Sequence, residues 1–242
     1  MVQDIAVSLA LIVVSAASSI IAYRTHCLDR YGTIASFIVG SLTGIFSSIG
    51  AFTLLMVFTI AGFAATMKDL KSKMSKGLQE GKGGERGWRN ILGVSVPALL
   101  VVFIDCVFHL DPITFSIMYI STLAVAGSDT IASEIGVRDP KVYMITSFKR
   151  VEPGVNGGVS ILGTITSIIA ALAISILGWI ILQNTINPLL LVPFAMGVLG
   201  NFLDSLFGSL FENRGYISKY TNNAVTGFIP ALIGALIYQT IC

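Results

Sequence analysis

The feature that most constrains this chain is a set of long apolar runs, with every lysine and arginine confined to the gaps between them. A spanning helix needs about 20 predominantly apolar residues. Such runs lie at 4–23, 31–47, 50–67, 90–109, 113–133, 157–183, 187–211 and 222–241. Composition agrees: 12% of the 242 residues are charged, against about 25% in ordinary soluble domains. The expected fold is all-α, a polytopic membrane bundle of about eight transmembrane helices. It forms a single domain over 1–242, with cytoplasmic loops at 67–89 and 134–156. No basic n-region or clear cleavage site marks the first run as a signal peptide, and Asp4 precedes it, so it reads as a retained helix.

The second and third runs are short and separated only by Ser47, Ser48 and Gly50, so one bent span there would make seven. Charge decides between the counts. The basic residues fall at 24–30, 68–89, 138–150 and 214–219, and none falls at 48–50, 109–112 or 184–187. Eight spans put all four basic loops on one face, which the positive-inside rule makes cytoplasmic, with both termini outside; seven would divide them. The net charge of +2 says little beyond this. Cys27, Cys106 and Cys242 have neither metal-ligand spacing nor the pattern of a disulfide framework, and read as free thiols.

Acids at membrane depth are expensive, by about 2.5–3.5 kcal/mol on insertion scales, and so mark candidate functional sites. The stretch GSDTIASEIG at 127–136 places Asp129 and Glu134 at the end of an apolar run, able to hold a divalent cation or orient a phosphate. The plainer reading is a helix terminus whose acids sit in water. In GVLGNFLDSLFGSLFE, residues 197–212, Gly197, Asn201, Asp204, Ser205, Gly208 and Glu212 form one stripe. Asp204 is the second deep acid, and paired with Asp129 it supplies two carboxylates for Mg²⁺, phosphates and waters completing the shell.

In 149–167, Pro153 and Gly154 break the chain before Asn156, Gly157 and Gly158 lead into the sixth span. Backbone amides in a glycine-rich turn that opens a helix make an anion site. Asn156, Ser160, Gly163 and Thr164 continue down one face, and Lys149 and Arg150 lie just upstream. A polar turn followed by a small-residue packing face is the equal alternative. Asn222 and Asn223 open the last span and either contact a nucleotide or phosphate or cap the helix. The glycine-rich basic loop at 67–90 is not a Walker A sequence; it reads as a flap over an anionic substrate or a lipid-headgroup anchor. The ridge Gly32, Ser36, Gly40 and Gly44 reads as helix packing. Neither His26 nor His109 has the setting of a hydrolytic triad.

These stretches, GGERGWRNIL (83–92), SDTIASEIG (128–136), VEPGVNGGVSILGT (151–164), LGNFLDSLFGSLFE (199–212) and TNNAVTG (221–227), resemble a family of integral membrane proteins. The family includes phytyl-phosphate kinase of tocopherol synthesis and archaeal members, and the resemblance covers nearly the whole chain. It implies a Mg²⁺-dependent kinase of the cell membrane, with its active site on the cytoplasmic face. The partners would be a nucleoside triphosphate, often CTP, and an isoprenoid monophosphate such as phytyl or geranylgeranyl phosphate; no nucleic acid is implied. On this reading Asp129, Asp204 and Glu134 are metal ligands or orient them. Lys149, Arg150 and Arg86 neutralise charge, and Glu152, Asn156, Gly157, Gly158, Ser160, Thr164, Asn201, Asn222 and Asn223 line the substrate and phosphate site. A cytidylyltransferase making a CDP-lipid and a secondary transporter with broken helices are the rival readings.

Overall fold

The computed structural model describes residues 4–68, 70–79, 81 and 83–241, the side chains of 72 and 241 excepted. Lys82 of the basic loop and Cys242 lie outside these described residues. The helices are α1 (Ile5–Arg24), α2 (Arg30–Phe46), α3 (Ile49–Met67), α4 (Leu70–Ser75), α5 (Trp88–Phe108), α6 (Pro112–Gly136), α7 (Ile161–Gln183), α8 (Leu191–Phe207) and α9 (Lys219–Ile241). A 3₁₀ turn at Pro188–Leu190 leads into α8, and a π-helical turn at Gly208–Glu212 follows it. Among the described residues, the helices other than the short α4 coincide with the eight apolar runs. Six of them are long and apolar enough to cross a membrane when the turns flanking α8 are counted with it. The remaining two are α2, with 17 residues, and α9.

Local chemistry sets the helix boundaries. The 31–67 run is two helices, because α2 ends at Phe46 and the Ser48 hydroxyl accepts the Ala51 N–H at 3.1 Å to start α3. Asp29 caps α2 through Gly32 N–H at 2.6 Å, and Asp111 caps α6 through Ile113 and Thr114 N–H, both at 3.0 Å. These side-chain oxygens satisfy amide groups that a helix start leaves without partners.

Helix α6 is the axis of the bundle. It packs on α3, α5, α7, α8 and α9, and residues 116–128 are buried without interruption. In lipid, apolar burial gives little drive for helix association, so packing of small residues and interhelical hydrogen bonds carry it. A Cβ on Gly197 of α8 would stand 2.8 Å from Ala124 Cβ and 2.9 Å from Ala171 Cβ, so three helices converge there. Buried hydroxyls are satisfied close by: Ser128 donates to Gly197 O at 3.1 Å, and Tyr119 to Ala51 O at 3.1 Å. Gln183 ties the far end of α7 to α6 through Pro112 O and Ser116 Oγ, at 2.9 and 2.7 Å. The Gly40 and Gly44 ridge is indeed a packing face, seating α2 against Ser15 and Leu11 of α1.

The four basic loops meet at one end of the bundle. Arg86 N–H donates to Cys27 O at 2.9 Å and Asp29 N–H to Arg86 O at 3.2 Å; Lys73 reaches Glu134; Asn156 reaches Glu212. One departure from an all-helical chain lies here. Residues 137–160 form a small antiparallel sheet of order β2-β1-β3, with β1 Val142–Met144, β2 Arg150–Val151 and β3 Gly158–Val159. Val142 faces Val151, and Tyr143 faces both Arg150 and Val159. The sixth span therefore begins at Ile161 rather than 157, with Ser160 as its cap. Replacing Gly197 with valine should overpack the α6–α7–α8 contact and destabilise by about 1–3 kcal/mol. A melt in detergent would read this as a lower midpoint, and an unchanged midpoint would show that the helices can separate there without loss.

Candidate functional site

At the end where the basic loops meet, a cavity of about 330 Å³ opens between α6, α7, α8 and the loops. Asp129 and Ser133 line it from α6, Ser160, Gly163 and Thr164 from the start of α7, and Asn201, Asp204 and Ser205 from α8. The 154–158 turn, residues 77–79, Glu134, Glu212 and Lys219 line it as well. Asp129 lies about 10 Å short of the last residue of its helix, at 1.5 Å of rise per residue, so the acids sit below the loop layer. Asp129 and Asp204, from different helices, line this cavity together and also share a small pocket behind it with Asn223 and Thr226.

The surroundings of Asp204 are built by α9. Thr226 Oγ1 lies 3.3 Å from Asp204 Oδ1. With its amide nitrogen turned toward acceptors, Asn223 donates to Asp204 Oδ1 at 3.2 Å and to Lys219 O at 2.9 Å. Asn222, fully buried, donates to Asp204 O at 3.0 Å and to Glu212 Oε2 at 3.4 Å. The two asparagines thus hold the acids in place, and neither lines the main cavity.

The 154–158 turn is pressed onto the π-helical turn. Gly157 has φ +77°, and a Cβ there would stand 2.6 Å from Ser209 Cβ and 2.8 Å from Ser205 O. Only glycine fits both the conformation and the approach. Asn156 donates to Glu212 Oε1 at 2.6 Å, and Asn213 donates back to Asn156 O at 2.8 Å. The wide turn carries i→i+5 bonding, Asn213 N–H to Gly208 O at 3.0 Å. Such turns occur often at functional sites, and this one brings Glu212 to the rim.

The structure redistributes several expected roles. Glu134 is 8% exposed and already held by two cations and a hydroxyl: Lys73 Nζ is 2.5 Å from Oε2, Arg86 Nη2 3.4 Å from Oε1, and Thr66 Oγ1 donates to Oε1 at 2.7 Å. A buried carboxylate paired with two buried cations is a structural knot, which engages both of its oxygens although Glu134 also lines the cavity. Arg86, expected to neutralise phosphate, belongs to the same knot through Thr66 at 2.8 Å and does not line the cavity. Lys149, Arg150 and Glu152 are exposed in the β2 region and do not line it either; Arg150 donates to Pro140 O at 3.0 Å. Three amides of the cradle expected at the start of α7 are bonded within the fold. Gly158 N–H goes to Val155 O at 2.9 Å, Gly163 N–H to Ser160 Oγ at 3.1 Å and Leu162 N–H to Asp139 Oδ2 at 3.4 Å.

Two residues missing from the expected site join it. Glu212 was visible on the Asp204 stripe at helical spacing. Lys219 is the one lysine or arginine among the described residues that line the cavity; in sequence it was merely one more loop cation. Asp129, Asp204 and Glu212 line the cavity together with that lysine. No group of three His, Cys, Asp or Glu among the described residues is placed to hold a metal unaided. Two carboxylates with hard oxygen donors nonetheless suit Mg²⁺, which commonly takes one or two protein carboxylates and completes its shell with phosphates and water.

A family model described as integral membrane protein DUF92 matches residues 13–235. The chain is 32% identical over 220 residues to an uncharacterised membrane protein of Methanocaldococcus jannaschii, covering 90% of this chain and 89% of that one. It is 28% identical over 216 residues to the chloroplastic protein VTE6 of Arabidopsis thaliana, covering 87% of this chain and 64% of that protein. Protein PGR of the same plant is 29% identical over 238 residues, 87% of this chain and 81% of its own. No solved structure matches.

Glu134→Gln should leave two buried cations short of a counter-charge, a loss of about 3–5 kcal/mol. Thermal unfolding in detergent should show a much larger drop for this variant than for Asp129→Asn. Equal midpoints would reassign Glu134 to the site.

Proposed function

Given that the chain belongs to the DUF92 family of integral membrane proteins, we propose that it is a membrane-embedded phosphotransferase acting on an isoprenoid monophosphate. The donor is a nucleoside triphosphate, CTP by the family resemblance, and the acceptor phytyl or geranylgeranyl phosphate. The observation that carries this reading is the pair Asp129 and Asp204, brought by separate helices to one cavity about a helical turn or two beneath a basic loop layer. The long helices cross the membrane eight times, the basic loops face the cytoplasm and both termini lie opposite.

The acceptor's phosphate oxygen attacks the terminal phosphorus of the triphosphate, and the bond from that phosphorus to its bridging oxygen breaks. The products are an isoprenoid diphosphate and a nucleoside diphosphate. A phosphate monoester has a second pKa near 6 and is largely ionised at neutral pH, so attack needs no general base. The task left to the protein is positioning and charge neutralisation. Asp129 and Asp204 would hold Mg²⁺, which offsets the repulsion between the two anionic substrates when bound. Lys219 faces the phosphates from the rim, Asn201 and Thr164 offer polar side chains within the cavity, and Asn222 and Asn223 keep Asp204 oriented. Glu212 fixes the 154–158 turn through Asn156.

Purified protein supplied with Mg²⁺, CTP and phytyl or geranylgeranyl monophosphate should release CDP and the lipid diphosphate. Pyrophosphate in place of CDP would make it a cytidylyltransferase instead. Asp129→Asn should lower turnover by about 10²–10³-fold, the scale for losing one preorganised electrostatic group, while its melting midpoint stays near that of the parent. Retained turnover would exclude Asp129 from the site.

A further inference from the structure

Packed helices wall the cavity on several sides, and its loop side carries Lys219 and Glu212. Helices α6 and α7 meet at glycine against glycine: a Cβ on Gly136 would lie 3.1 Å from Gly163 Cα. Helices α6 and α8 are packed through Gly200, where a Cβ would stand 2.6 Å from Val125 Cγ1. Helices α8 and α9 are joined by Asn222 to Asp204 O. Above, the 154–158 turn rests on Ser205 and Ser209 and is bonded to Glu212. Within the helix layer, the remaining wall is the boundary between α7 and α8. These two helices touch at Ala171 and Gly197, and nearer the loops the cavity residues Thr164 and Asn201 line the space from α7 and α8.

Thr164 lines the cavity and is exposed. Its exposed neighbours are Ile161, Ile165 and Ile168, and Phe202 is exposed on α8 next to the lining residue Asn201. Residues 161, 165 and 168 share one helix face. The cavity residues Thr164 and Asn201 thus have large exposed apolar neighbours on both helices, surface that acyl chains solvate well.

We propose, resting on the phosphotransferase reading, that the gap between the loop-side halves of α7 and α8 is a lateral window through which the acceptor lipid docks. Its phosphate enters past Thr164 toward Asp129 and Asp204. Its single hydrocarbon chain stays in the bilayer along Ile161, Ile165 and Ile168 of α7 and Phe202 of α8. The occupant is a monophosphate ester of one long-chain alcohol. The nucleotide arrives separately, from the loop side by Lys219. A tail about as long as a bilayer leaflet never has to cross the hydrogen-bonded polar roof.

The test uses full-length protein in nanodiscs and phytyl monophosphate carrying a diazirine close to its phosphate. After irradiation without nucleotide, adducts should concentrate in peptides 161–172 and 198–207. Ile165→Trp should reduce this labelling by about tenfold, equivalent to roughly 1.4 kcal/mol of chain contact. Ile180→Trp, at the opposite end of α7, should leave it unchanged. Adducts on α1, α2 or α9, no adducts at all, or equal losses from both tryptophan variants would overturn the window. Turnover of the unlabelled lipid, measured in parallel, separates the two claims. Turnover without window adducts would sink the docking route and leave the kinase. Window adducts without turnover would do the reverse.

Discussion

Close approach of helix backbones around α6 is the condition on which the rest of the molecule depends. A helix buried along 116–128 inside a membrane cannot be held by exclusion of water alone, since lipid solvates apolar side chains as well as protein does. Glycines at 136, 163, 197 and 200 bring three backbones together instead. Polar hydroxyls then find carbonyl acceptors at short range. That tight axis makes two acids tolerable at depth: α6 and α8 cannot shift relative to one another, so Asp129 and Asp204 are presented to one space from fixed positions.

The site is layered from this axis outward. Asn222, Asn223 and Thr226 reach from α9 to Asp204 and orient it. Glu212 and Asn156 join the π-helical turn to the sheet-bearing loop. Farther out, Glu134 gathers Lys73 and Arg86 and so pins both ends of the long basic loop to α6. All three acids line the cavity, and Glu134 is the one bonded to two cations. All three look alike in sequence, as carboxylates near the end of an apolar run, and differ only in what the fold places opposite them.

Much of the architecture is legible in one dimension, for physical reasons that can be named. The long helices announce themselves because membrane spans must be long and apolar, and the break at Ser47–Ser48 is a side-chain cap visible as two serines in an apolar run. Asp129, Asn201 and Asp204 stand out because an acid or amide in such a run is costly unless it faces the bundle interior or a wet cavity. What was not legible shares a different origin. Glu134 finds Lys73 across 61 positions, and no spacing rule encodes that pairing. The sheet rests on strands of two and three residues, too short to show an alternation. Two amides of the expected cradle bond locally to Ser160 and Asp139, a competition that motif reading ignores. Lys219 escaped notice because a lysine beside a membrane is ordinarily accounted for by topology alone.

The widened turn at 208–212 has a consequence for how this chain can vary. An α-helix advances about 100° per residue, and a π-helical turn is equivalent to one residue inserted into a regular helix. Excising a single residue there would restore ideal winding and swing Glu212 by that angle, away from Asn156. Homologous chains should therefore tolerate exchange of side chains along this turn far better than a change in its length, so a gap in an alignment at this point would signal a different lining of the mouth.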